Sequence, residues 1–349
     1  MGIGERPVED VAVDPGFWKD RRVLVTGYTG FKGGWLTLWL RRMGAEVIGL
    51  ANAAPTSPSL YDLARVGDGV TEAMVDICDG DAVRDAFSGD PEIVIHMAAQ
   101  PLVRRSFEDP RGTFDINVMG TVNVLEAVRA TPSVRAVVNV TSDLKGGHDP
   151  YSTSKACAGL IADSYLHSFF EDGPRLATAR AGNVIGGGDW GRDRLIPDII
   201  RRAREGEPIP IRNPVALRPW QHALDPLSGY LTLAQALMDS PERQGGWSFG
   251  PAPDDVRPVS WIVERLDQRW DGDLRWEVDP GPHPPESQKS TMDSTRANEE
   301  LGWSPTWDLG AALDAIVAWY EALDKGADVR DVTLAQIDSF AAGRHEVAA

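Results

Sequence analysis

Short β-branched apolar runs recur through the first half of the chain, with amphipathic stretches between them. RVLVT at 22–26 stops at a glycine, as a strand buried on both faces does. EVIGL at 46–50 follows the amphipathic GGWLTLWLRRMG. EAMVDI near 76, EIVIHMAA near 95 and VRAVVNVTS near 138 come next, separated by helix-like segments such as TVNVLEAVRA. Strands alternating with helices predict βαβ units, hence a parallel sheet covered by helices on both faces: a doubly wound α/β fold of the Rossmann kind.

After about residue 183 the texture becomes rich in Gly and Pro, as in GNVIGGGDWGRDRLIP and DPGPHPPESQ, with helices between. Irregular segments of this kind suit a smaller lobe that closes over a substrate. The expected division is a dinucleotide-binding domain at 17–182 and a mainly substrate-binding C-terminal lobe at 183–330, with some segments returning to the first domain. The tail RHEVAA is expected to be loose.

With 349 residues, 42% hydrophobic and 25% charged, the chain can bury one large core or two modest ones. A formal charge of −17 argues against nucleic-acid binding, which needs clustered cations, yet it leaves room for an anionic small substrate met by a few local ones. No run approaches the roughly 18 to 20 apolar residues of a membrane span, and MGIGERPVEDVAVD is acidic and lacks a hydrophobic region. A cytoplasmic protein with no membrane partner is expected. Cys78 and Cys157 lack the spacing of a disulfide framework or a zinc site and read as core residues, and no metal is expected.

Two motifs carry chemistry. Gly27-Tyr28-Thr29-Gly30-Phe31-Lys32-Gly33 lies between the first strand and the first helix, with GxxGxxG spacing. Such glycines permit a tight turn, close approach of backbone to a pyrophosphate, and close helix packing, so the loop is expected to bind a dinucleotide. Where an acidic residue often closes the second strand to hold a ribose, the chain has Ala51-Asn52-Ala53-Ala54. No arginine stands there to meet a 2′-phosphate, so NAD is expected rather than NADP. Asp76-Ile77 is expected to end the next strand, where Asp76 either meets the adenine edge or is a satisfied loop aspartate. The second motif is Tyr151 and Lys155, four apart and so on one helix face. A nearby ammonium stabilises a phenolate, which can act as base on a sugar hydroxyl, and Thr141 or Ser142 is placed to orient that hydroxyl.

Many segments together resemble the extended short-chain dehydrogenase/reductases, the NAD-dependent epimerase/dehydratase family, and within them the CDP-glucose 4,6-dehydratases. They are FWKDRRVLVTGYTGFKGGWLTLWL, APTSPSL, IVIHMAAQPLVRRS, NVMGTVNVLEAV, VTSD, GGHDPYSTSK, ARAGNVIGGGDW, RLIPDIIR, IRNPVALRPWQHALDPLSGYL and ELGWSPTWDL, covering about residues 17 to 325. The resemblance implies an NAD site formed by Gly27, Thr29, Gly30, Phe31, Gly33, Asp76, Ile77, Ala98, Ala99 and Gln100, completed by Tyr151 and Lys155. It implies a nucleotide-sugar substrate, CDP-linked, held at its diphosphate by Asn183 and Arg218, with Leu195 and His222 beside them, and a homodimer. Read alone, Arg218-Pro219-Trp220-Gln221-His222 supplies a guanidinium fork for phosphate next to a ring able to stack on a base. The apolar stripes of FDINVMGTVNVLEAVRA and YSTSKACAGLIADSYLHSFF are candidates for pairing across a two-fold axis.

One stretch departs from the family. Elimination of water across C5–C6 needs an acid at the C6 oxygen and a base at C5, which in the family resemble the Asp of the TSD motif and the Lys directly after it, followed by an insertion. Here Asp143 is present, Leu144 follows it, Lys145 comes one position later and the insertion is missing. Three readings follow: a dehydratase in which Lys145 or a water is the base, a nucleotide-sugar 4-epimerase or oxidoreductase that eliminates nothing, or a silent binding homologue. The first is favoured.

Overall fold

A computed structural model describes residues 13–142, 149–270, 274–283 and 288–343. Asp143, Leu144, Lys145 and the tail from Arg344 lie outside the described residues. The chain enters through the single-turn helix α1 (Pro15–Trp18), capped by Asp14, and strand β1 (Arg22–Thr26). There follow α2 (Phe31–Arg42), β2 (Glu46–Ala51), α3 (Leu60–Leu63), β3 (Thr71–Met74), α4 (Gly80–Ala86) and β4 (Ile93–His96). Next are α5 (Val103–Glu108), α6 (Pro110–Phe114), a π-helical turn at Asp115–Met119, α7 (Gly120–Ala130), β5 (Ala136–Ser142), α8 (Pro150–Phe169) and β6 (Arg175–Ala181).

These strands, with a later strand, form one parallel sheet in which β6, β5, β4, β1, β2 and β3 lie side by side. The order reverses between β1 and β4, and at that switch point the loops after both strands leave the carboxyl edge, where such sheets bind ligands. Alternation along β1 sends Val23 and Val25 into one apolar layer and Leu24 into the other. The first layer holds α2, whose Trp35, Leu36, Leu38, Trp39 and Leu40 are all buried. The second holds Val124, Leu125 and Val128 of α7. EAMVDI differs from expectation. Its ladder ends at Met74, and most of its side chains are exposed because the strand is an edge paired on one side only. Asp76 therefore stands in a turn, its Oδ1 accepting from the Cys78 amide at 2.9 Å. Cys78 is exposed and Cys157 half-buried, so Cys78 is not the core residue expected.

Past Ala181 the chain builds β7 (Asn183–Ile185), α9 (Leu195–Glu205), β8 (Ile209–Ile211), β9 (Leu217–His222), α10 (Leu224–Asp239), β10 (Gly245–Phe249), β11 (Val256–Pro258), α11 (Val259–Asp267) and β12 (Trp276–Val278). It closes with α12 (Thr295–Leu301), α13 (Leu309–Asp324) and α14 (Val329–Ala341). β11, β9 and β7 form a small sheet, and β12 pairs with β8. β10 rejoins the large sheet beside β6, α10 covers β5 and β6, and α14 packs on α2. No described helix is long and apolar enough to cross a membrane, and no cluster of metal-ligating side chains occurs among the described residues.

The closest backbone approach in the fold is at the start of α2. A Cβ on Gly33 would collide with the Gly27 carbonyl and stand 2.8 Å from Tyr28 Cα. Gly33→Ala is therefore expected to cost about 1–3 kcal/mol or more, read as a lowered midpoint in denaturant unfolding. An unchanged midpoint would show that this approach does not set the helix position.

Candidate active site

The glycine loop turns because Gly27 adopts φ +76°, where a Cβ would also meet Ala98 Cα at 2.9 Å. Thr29 Oγ1 donates to the Asn52 carbonyl at 2.9 Å, pinning the loop to the end of β2. Gly30 is the N-cap of α2 and offers no side-chain cap, so the first amide N–H groups of the helix are left for a ligand. A Cβ on Gly30 would come no closer than 3.3 Å to any other group, the Gly27 carbonyl. Protein packing thus accounts for the glycines at 27 and 33, whereas the bare edge at Gly30 fits a pyrophosphate lying against it. Phe31 lies against Gly186.

Across the switch point, Thr26 Oγ1 accepts from the Met97 and Ala98 amides, both at 3.0 Å, and holds the loop after β4 against β1. With both its acceptor positions used, that hydroxyl donates to His96 Nδ1 at 2.7 Å. The His96 proton therefore sits on Nε2 and points to Thr121 Oγ1 at 3.1 Å, and Thr121 in turn donates to the Asn117 carbonyl at 2.7 Å. Burial, then the charge of Lys155, lowers His96 to about 3, so it is neutral. Asn117 lies in the π-helical turn. Its amide donates to Ser154 Oγ at 2.8 Å and to the Gln100 carbonyl at 3.1 Å, and its Oδ1 accepts from the Gln100 amide at 2.8 Å. Ser154 Oγ donates to the Tyr151 carbonyl at 2.7 Å. The Gln100 side chain is engaged with Leu102 and Thr113 and its backbone with Asn117, so Gln100 is a buried clamp of this loop. Ala98 and Ala99 are half-buried on the same loop, and Ile77 is buried.

α8 starts cleanly. Asp149 caps it, accepting from the Ser152 amide at 2.8 Å and the Ser152 hydroxyl at 2.6 Å, and Pro150 occupies the first turn. Tyr151 and Lys155 thus share a face in the first two turns. Lys155 is buried, and its Nζ donates to the Val140 carbonyl at 2.8 Å, fixing the helix to the end of β5; burial lowers it to about 8. Thr141 is buried with an unpartnered Oγ1, while the half-buried Ser142 ends the strand.

Sequence reasoning passed over two cations here. Lys32, inside the glycine motif itself, donates to Tyr230 Oη at 3.0 Å and lies over that ring. Burial, then the charges of Lys155 and Arg194, lowers Lys32 to about 7. Arg194 Nη1 pairs with the buried Asp189 at 2.9 Å. Burial opposes its charge, but Asp189 outweighs burial and Tyr151 adds to it, holding Arg194 above the usual arginine range. Lys32 therefore stands within electrostatic reach of both Lys155 and Arg194, and Arg194 within reach of Tyr151. The lysine in GFKGG was the available signal; nothing local to DRLIP announced Arg194.

In the second lobe, Asn183 opens β7 and pairs with Trp220 of β9, Leu195 opens α9, and Arg218 stands on β9 opposite Arg257 of β11. Arg218 Nη1 also donates to the Leu217 carbonyl at 3.0 Å. His222 and Trp220 differ from expectation. His222 has no exposed surface and sits between Trp35 and Trp307 at ring distances of 5.4 and 4.9 Å, and Trp220 is buried in the same core, so neither ring is open to a substrate base. Their strand runs beneath α10 and α13, and burying two large rings there outweighs exposing them.

The profile of the NAD dependent epimerase/dehydratase family matches residues 23–244. The chain is 45% identical to the CDP-glucose 4,6-dehydratase of Salmonella typhimurium over 94% of this chain and 98% of that one. It is 26% identical to the UDP-glucose 4-epimerase of Mycolicibacterium smegmatis over 86% of this chain and 98% of that one. Among solved structures, the UDP-glucose 4-epimerase of Thermus thermophilus in complex with NAD superposes with a TM-score of 0.73 at 25% identity, covering 85% of this chain and 98% of that one. The dTDP-glucose 4,6-dehydratase of Streptomyces venezuelae, at 22% identity, shares the fold with a TM-score of 0.72 over 88% of this chain and 99% of that one.

A lysine held near 7 in the fold and near 10.5 when unfolded binds fewer protons folded than unfolded between those values. Its cost to stability is therefore full below about pH 7 and fades as pH rises toward 10.5. Lys32→Met removes that cost, along with a pH-independent hydrogen bond to Tyr230. The melting temperature of the variant relative to the parent is expected to move in the variant's favour by a few degrees from pH 9 to pH 6. A gap that does not change with pH would show that Lys32 is not desolvated.

Proposed function

Because the chain belongs to the NAD dependent epimerase/dehydratase family, we propose that it is an NAD-dependent nucleotide-sugar 4,6-dehydratase acting on CDP-glucose. The observation that carries this reading is Tyr151 and Lys155 one turn apart on α8, with Lys155 anchored to the end of β5, in a chain 45% identical to a CDP-glucose 4,6-dehydratase over nearly its whole length.

NAD, when bound, supplies the hydride acceptor for C4 and the hydride returned to C6. Gly30, at the uncapped start of α2, would face its pyrophosphate in the turn that Gly27 and Gly33 make possible, and the loop from Ala98 to Gln100 would line its other side. Tyr151 takes the proton of the C4 hydroxyl as the carbon is oxidised. Tyr151 therefore acts as the phenolate, and Lys155 and Arg194 lower the cost of that ionised form before the transfer, because opposite charges at short range favour it. Ser142 orients the hydroxyl; it stands at the open end of β5, whereas Thr141 is buried. The carbonyl formed at C4 acidifies the C5 proton. A base then removes it while Asp143 protonates the departing C6 oxygen, with Lys145 or a water as that base. Arg218 and Asn183 take the substrate diphosphate, and Arg257 beside Arg218 adds charge of the same sign. His222 is left out of this set. Epimerase chemistry is the second reading, favoured by the missing insertion after Asp143.

We also propose a cytoplasmic homodimer. Met119, Leu160 and Phe169 are 49%, 70% and 52% exposed on the π-turn and α8, an apolar surface of the kind that pairs across a two-fold axis.

Two substitutions separate the readings when the chain is incubated with CDP-glucose and products are followed by mass and NMR. Tyr151→Phe is expected to remove all turnover. Asp143→Asn is expected to lower water loss by roughly 10² to 10⁴-fold while sparing C4 oxidation. Full activity in Tyr151→Phe would overturn the mechanism, and configuration change at C4 without water loss in the parent would select the epimerase. Light scattering at micromolar concentration is expected to give twice the mass of one chain, and a single-chain mass would reject the dimer.

A further inference from the structure

A cavity of about 430 Å³ lies along α8, and it shares Ser142 and Lys155 with the site proposed above. Thr141, Lys155, Gly159, Thr178, Arg180 and Gly246 mark its walls, and neither Tyr151 nor the glycine loop lines it. Asn139 pairs with Thr178 and Thr141 with Arg180 across β5 and β6, so these side chains rise on one face of the sheet, where Asn139 reaches the Ala158 carbonyl of α8.

Three features converge there. No described residue accepts a hydrogen bond or ion pair from the Arg180 guanidinium, an uncommon state for a half-buried arginine. Thr141 Oγ1, in the same wall, is buried without a partner. A Cβ on Gly159 would meet nothing within 4 Å, so α8 leaves open space over the cavity. Gly246 carries no side chain where Arg180 Nη1 would stand 2.8 Å from its Cβ, and Arg296 Nη1 stands 3.8 Å from the corresponding point on Gly245. Leu166 and Leu176 make the remaining wall apolar. Asp163 also lines the cavity, pairing with His167 at 3.6 Å, and its charge favours a singly charged ligand over a phosphate dianion.

We infer that this cavity binds a small aliphatic carboxylate, its two oxygens paired with the Arg180 fork and its chain against Leu166 and Leu176. Lys155 shares the cavity, so the bound charge also favours the ammonium form of the catalytic lysine.

Butyrate, with butyramide as neutral control, tests this on the full chain by calorimetry and thermal melting. Butyrate is expected to raise the melting temperature with dose and butyramide not to. Gly159→Glu plants a carboxylate on the same wall. It is expected to melt higher than Gly159→Gln, which shares its gain in helix propensity, and to weaken butyrate binding at least tenfold. Arg180→Gln is expected to lose butyrate binding without the gain in melting temperature; should it fail to fold, Gly159→Glu decides alone, since its side chain enters open space. Equal stabilisation by butyramide, no response in the parent, or a parental response in Gly159→Glu would overturn the site. So would a response that appears only with a change of mass by light scattering, which would place the ligand between copies of the chain.

Discussion

The site depends on one buried line of hydrogen bonds running from Thr26 through His96, Thr121, Asn117 and Ser154 to the Tyr151 carbonyl. Each hydroxyl on it has a single proton and a fixed acceptor, so the direction of every bond is determined. The two ends are the strand that feeds the glycine loop and the helix that carries the tyrosine. A buried donor or acceptor left unmade costs about 1–3 kcal/mol, so the loop, the π-turn and α8 cannot shift separately without breaking a member of the line. The π-turn at Asp115–Met119 has its place in this scheme, since Asn117 serves Gln100 on one side and Ser154 on the other from within it.

Charge follows a different logic from the surface. The chain carries −17, yet Lys32 lies within reach of the charges of Lys155 and Arg194, and Arg194 within reach of Tyr151. Packing three cations together is unfavourable, and the fold distributes the cost unevenly. Arg194 is neutralised by Asp189, Lys155 is tied to a carbonyl, and Lys32 is left with a phenol and a lowered pKa. A binding site for an anion, and a tyrosine that must ionise, both gain from that arrangement.

The segments after Ala181 share one core with the first strands. Tyr230 and Leu231 of α10 and Trp319 of α13 belong to the same apolar cluster as Val23 and Trp35. The Trp35 indole donates to the Gly187 carbonyl at 3.0 Å. α2 is therefore buried on every side from Gly33 to Leu40, so the stretch read from the sequence as amphipathic is covered all round.

The sequence by itself determined the order of strands and helices, the glycine turn after β1 and the placing of Tyr151 and Lys155 on one helix face, because each rests on local periodicity or fixed spacing. A period of two or 3.6 and a run of glycines act over a few residues and survive without knowledge of neighbours. Only the tertiary structure decided which residues far apart in the chain come together. It buried His222, which the resemblance placed beside the substrate, and Trp220 of the same motif, because two helices cover their strand. It left Cys78 exposed, because the strand before it is an edge. It brought Lys32, far from Arg194 in the chain, within reach of that guanidinium's charge, and it left Arg180 facing a cavity beside a glycine that fills none of it. Such encounters are set by packing across the sheet, and no local pattern in the chain encodes them.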